Sequence, residues 1–88
     1  MTMTLPSALD TAAAKPLATS LGELLAAGGP IRLDGSEVTR VGQACLQVLM
    51  STRLSAEQAG HDLVIEQPSD ELRASGELAG LTMLFANA

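Results

Sequence analysis

Along the first five residues, Met1, Met3 and Leu5 alternate with Thr2 and Thr4, a period of two that predicts a short strand ending at Pro6. The period then lengthens. Leu17, Leu21, Leu24 and Leu25 fall at i, i+4, i+7 and i+8, one stripe of an amphipathic helix that Gly28-Gly29-Pro30 stops. Asp10 and Thr11 are candidate caps, but Pro16 argues that regular helix begins nearer Lys15. "IRLDG" then reads as a second strand with Ile31 and Leu33 on one face. A helix is predicted over 43–59, ending at Gly60, and "HDLVIEQ" as the third strand. Ser69 caps a last helix, with Asp70 and Glu71 in its first turn and Gly80 as its stop. Strands alternating with helices make an α/β chain, and strands joined through helices are expected to lie parallel.

The helix over 43–59 has more apolar surface than a sheet-covering helix needs. Cys45, Leu49, Thr52 and Ala56 share one side with Val48 beside them, while Gln47, Ser51, Ser55 and Gln58 form a polar side. Leu46, Met50 and Leu54 make a second stripe, roughly 130° from the first by helical geometry. Two readings stand: the stripe packs on a neighbouring helix, or it meets a partner next to the turn before the helix, where a flexible Met suits an adaptable contact.

Composition narrows the function. The 88 residues make a single domain, 1–88, whose core must be built from Leu, Ala, Val and Met because the chain has one Phe, no Tyr and no Trp. Such a core favours association with a partner or a second copy of the chain. Ten acidic residues against five scattered basic ones give a net charge of −5, which disfavours nucleic acid and anionic lipid. One Cys excludes an internal disulfide and one His excludes a His-based zinc site within the chain. The N-terminus lacks a basic signal-like region, no apolar run approaches the ~20 residues of a membrane span, and a cytoplasmic protein without membrane insertion is expected. No cofactor or metal is expected, since Gly28-Gly29 follows a helix rather than a strand and no phosphate-cradling motif occurs. A Cys45/His61 catalytic pair fails on register, because Cys45 points inward and His61 opens a strand.

The run from "LD" at 9–10 through "IRLDGSEVTRVGQACLQVL" to "DLVIEQPSDELRASGELAGL" resembles the STAS domain, the fold of bacterial anti-sigma factor antagonists. The order and spacing of the pieces carry the resemblance over nearly the whole chain. It looks most like the short STAS proteins of alphaproteobacterial chemotaxis gene clusters, and it is also similar to the small STAS subunit of a bacterial lipid-transport ATPase. The resemblance implies a small parallel or mixed sheet of three to four strands covered by three to four helices. The outermost N-terminal strand of the family is missing here, and "LTMLFANA" is a candidate for a further strand. An uncovered edge invites pairing.

The resemblance further implies a non-catalytic signalling module that docks a protein partner: a histidine-kinase-like ATPase domain, a chemotaxis component or a transporter ATPase subunit. Docking residues under this reading are Ser36, Glu37, Thr39, Arg40, Gly42, Gln43, Ala44, Leu46, Gln47, Met50 and Leu54. In switching relatives the turn before the central helix carries Asp-Ser-Ser-Gly-Leu and the second Ser is phosphorylated. Anchored on Leu46, this chain has Gly42, Gln43, Ala44 and Cys45 there, so Ala44 stands at the phosphoacceptor position. Ser36 and Thr39, upstream in the same loop, are substitute candidates, though both are also ordinary turn residues. The expectation is a docking platform kept without its phosphate switch.

Overall fold

The computed structural model describes residues 2–80, and the "LTMLFANA" segment lies outside them. The elements are β1 (Thr2–Thr4), β2 (Ala8–Leu9), α1 (Thr11–Ala27), β3 (Ile31–Asp34), β4 (Arg40–Val41), α2 (Gln43–Gln58), β5 (Leu63–Glu66) and α3 (Asp70–Leu78). The main sheet has the order β1-β3-β5, all parallel, with Met3 paired to Leu33 and Leu33 to Ile65. Neighbours in register point to the same side of a parallel sheet. Hence Ile31, Leu33, Leu63 and Ile65 line one buried face, while Thr4 and Arg32 are exposed on the other. On that polar side Arg32 reaches Glu66 at 3.4 Å, an exposed pair worth about 0–1 kcal/mol.

The buried face is covered by helices. Leu17 and Leu21 of α1 and Cys45, Leu49 and Ala56 of α2 complete a core that consists mostly of leucine. α1 packs lengthwise on α2, and α3 lies against β4 rather than over the centre of the sheet. The fold is therefore the expected α/β arrangement of a small parallel sheet with helices.

Three boundaries differ from the sequence reading. Helix α1 starts at Thr11, not near Lys15: the Asp10 carboxylate accepts from the Ala13 N–H at 3.1 Å, and this cap with the alanines behind it outweighs the bond lost at Pro16. Pro16 is exposed inside the helix. The third strand is shorter than 61–67 because His61 spends its N–H on Ala56 O at 2.8 Å, closing α2 instead of extending the sheet. Finally, β2 and β4 form a separate parallel pair, Ala8 with Arg40 and Leu9 with Val41. Two residues carry no periodicity, so neither strand was visible in the sequence.

Candidate functional site

The segment between β3 and α2 is stapled down at three points. Ser36 donates its backbone N–H to the Asp34 carboxylate at 2.9 Å; that bond and the Ser36 hydroxyl hold the Asp34 carboxyl below its ordinary range. Val38, in the middle of the loop, is fully buried and anchors it to the core. Thr39 donates to Ser7 O from its backbone N–H at 2.7 Å and from its hydroxyl at 3.2 Å. A loop held this way keeps one shape, which lowers the ordering cost of docking.

The staple continues into the first turn of α2. Gly42 caps the helix through its backbone alone, and its N–H donates to Leu9 O at 2.7 Å. A Cβ on residue 42 would stand 3.3 Å from that oxygen, tighter than ordinary contact, so a small residue is favoured where strand and helix N-terminus converge. The Cys45 thiol donates to Asp10 O at 3.2 Å, which ties α2 to the cap of α1. Burial, and secondarily the Asp10 carboxylate, push that thiol above its ordinary pKa. A Cys45/His61 pair is also ruled out by distance: by helix rise alone the far end of α2 lies roughly 20 Å from Cys45.

The outward side of α2 is grooved. Along one flank, Gln43 and Leu46 face Val41, Ser75 and Leu78 of α3 and its C-cap Ala79 across a cleft of about 250 Å³. A second cleft of about 200 Å³ adjoins it, where Met50 and Gln47 meet Ala79. Both fall below the usual ~300–1,000 Å³ of small-molecule pockets, and both suit the insertion of individual side chains. On the other flank, Ala14 and Ala18 of α1 face Ala44, Val48 and Ser51. The first ten residues of α2, 43–52, contain no charged side chain. Depletion of charge is the compositional mark of an interface core.

The expected docking residues occupy three depths. Ser36, Glu37, Thr39, Arg40, Gln43 and Gln47 are exposed, while Gly42, Ala44 and Met50 are half-buried. Within the apolar stripe, Leu46 is only 6% exposed and floors the cleft, whereas Leu54 projects at 54%. The stripe is thus divided: its first residue is buried in the cleft beside α3, and its last faces outward. The structure adds Leu78, 92% exposed on α3 and lining the same cleft as Leu46. A Leu at a solvent-facing position of a short helix was the signal available for it. Among the described residues no set of three or more His, Cys, Asp and Glu gathers as a metal site, and no helix is long and apolar enough to cross a membrane.

A search of curated proteins gives no significant match. The family model described as "Mlab, STAS domain" matches residues 1–86, in keeping with the α/β architecture and the turn that leads into α2, and the chain belongs to the STAS-domain family.

Proposed function

We propose that this chain is a non-catalytic regulatory module that docks a protein partner through the 35–42 loop, the first turns of α2 and the Leu46/Met50/Leu54 stripe. One observation carries the reading: a charge-free stretch of helix whose flank leads to two exposed leucines, Leu54 and Leu78. Contiguous apolar patches rimmed by polar residues mark interaction sites, and the Leu46/Met50/Leu54 line flanked by Gln43 and Gln47 is read here as such a patch. The partner under this reading is a histidine-kinase-like ATPase domain or a chemotaxis component in the cytoplasm, as the resemblance to the short chemotaxis-cluster proteins implies. Docking proceeds without a phosphate switch at Ala44. Of the two substitute candidates, Thr39 has its hydroxyl engaged with Ser7 O at 3.2 Å in an exposed bond.

Leu54→Asp and Met50→Asp test the surface. Leu54→Asp is expected to weaken partner binding at least tenfold while the thermal unfolding midpoint stays close to wild type. Met50→Asp is expected to weaken binding as well and to lower the midpoint, because Met50 packs against the core. Leu46→Asp is unsuitable, because it places a carboxylate at a buried site and costs about 2–5 kcal/mol of stability. Wild-type binding by the Met50→Asp/Leu54→Asp double variant removes the proposed surface. Phosphorylation at Ser36 or Thr39 in cells, coupled to loss of binding, replaces the unswitched platform with a switched one.

The second reading is a structural subunit of a lipid-transport ATPase, docking the same helix on the nucleotide-binding subunit; the likeness of the chain to that subunit supports it. Genome neighbourhood separates the two: chemotaxis receptors and kinases on one side, a permease and an ATPase on the other.

A further inference from the structure

We infer that the β1 edge of the main sheet pairs antiparallel with β1 of a second copy of this chain, joining two sheets into one. In the order β1-β3-β5, β1 has a neighbour on one side only among the described residues. The ladder shows which backbone groups this leaves over. Met3 pairs with Leu33, and Leu5 donates its N–H to Asp34 O at 2.8 Å. Successive residues of a strand turn their N–H and C=O to opposite sides, so Met3 and Leu5 bond toward β3. Thr2 and Thr4 aim theirs at the open side, and Pro6, which has no N–H, ends the run.

A two-fold axis through Met3 makes this edge its own complement. With Met3 opposite Met3 of the second copy, residue 2 of each chain stands opposite residue 4 of the other. The outward N–H and C=O groups of these residues then exchange bonds as hydrogen-bonded antiparallel pairs. Met3 falls at the closer, non-hydrogen-bonded position between them. It is half-buried and packs on the core at the rim of the sheet. A second Met3 beside it on the same face covers the part left exposed.

Charge decides between the two edges of the sheet. Edges are guarded by charged side chains, Pro or bulges. The β5 edge is guarded, since β5 carries Glu66 and follows Asp62. Residues 1–9 contain no charged side chain, so two chains of net charge −5 meet at β1 without facing like charges. Pairing β1 with β5 of another copy would set Glu66 at the seam and, being head to tail, would continue into a filament. Pairing β1 with β1 closes after two copies. This surface shares no residue with the docking reading above.

A three-residue edge makes a small contact, so the pair is weak and must depend on concentration. Sedimentation equilibrium from micromolar to millimolar protein is the test, and the mass is expected to rise from one chain toward two. Thr4→Lys puts a charge on an exposed edge position, and Thr4→Pro deletes an outward N–H while sparing the bonds to β3. Each is expected to weaken association at least tenfold, whereas Glu77→Lys on α3 leaves it unchanged. Circular dichroism checks folding, and Thr4→Lys decides if the Pro variant unfolds. Mild oxidation of Met3→Cys should link two copies through position 3, because opposed non-hydrogen-bonded residues stand about 4.5 Å apart at Cα. A wild-type chain that stays monomeric at millimolar concentration overturns the inference, whether its edge is bare or covered by another part of the chain. Association that survives Thr4→Lys, or oxidised Met3→Cys with no link at position 3, overturns it as well. None of these results touches the docking reading.

Discussion

A Cβ placed on Gly35 would stand 2.6 Å from Cδ2 of Leu72, so the first residue after β3 and the buried leucine of α3 are packed against each other with no room for a methyl group. Gly35 also donates to Glu66 O at 3.0 Å and accepts from Ser69 N–H at 3.0 Å. It joins the end of β3, the end of β5 and the cap of α3, the three pieces that position the 35–42 loop and α3.

Gly35→Ala is therefore expected to destabilise the domain by about 1–3 kcal/mol through overpacking, because Ile65 Cγ2 at 3.1 Å and Pro68 Cα at 3.3 Å block retreat on the other sides. For a domain of this size each kcal/mol lowers Tm by roughly 4–8 °C. Thermal unfolding followed by circular dichroism measures it, and an unchanged Tm would show that Leu72 yields freely.

Helix α1 offers a pair of changes with opposite signs. Asp10→Ala removes the carboxylate that caps Ala13 N–H and is expected to cost about 0.5–2 kcal/mol. Pro16→Ala restores a donor inside the helix and is expected to stabilise by roughly 1–3 kcal/mol. Urea unfolding midpoints of the two variants should fall on either side of wild type.

The Asp34 carboxyl is held below its ordinary range by the Ser36 backbone N–H and hydroxyl. Its folded pKa lies below its unfolded value, so its contribution to stability is present above the unfolded pKa, about 3.9, and is lost as pH falls through the folded one. Carbon-detected NMR titration should give Asp34 a midpoint below that of a short peptide with the same sequence. The Ser36 amide shift should follow it, and Asp34→Asn should abolish that shift.

Cys45 is fully buried, and burial followed by the Asp10 carboxylate raises its pKa. An aromatic disulfide reagent should label it slowly in the native protein and at once in urea. Raising pH within the ordinary thiol range should accelerate native labelling less than it accelerates a free thiol. Rapid native labelling would reopen the possibility of cysteine chemistry.

Much of the architecture could be read before any coordinates. Long stripes such as Leu17/Leu21 and paired alternations such as Ile31/Leu33 and Leu63/Ile65 repeat often enough to declare their period, and all of these residues are buried. The stops at Gly60 and Gly80 were also legible, since both adopt positive φ, 81° and 74°, where a side chain is unfavourable.

What the sequence by itself determined is the order of the three strands of the main sheet and the three helices, the inward register of Cys45 and Leu49, and the absence of charge along the first turns of α2. What tertiary structure alone decided is where the neighbours stand. The β2–β4 pair holds Leu9 beside Val41 across more than thirty residues of chain, and it fixes the loop through Ser7 and Thr39. The arrival of α3 beside β4 turns Leu46 into the floor of a cleft, while Leu54 is left in solvent. Local periodicity records which side of an element is apolar, because that preference lies within one helix or strand. Which apolar side finds a cover depends on contacts between segments distant in sequence, and no single segment encodes them.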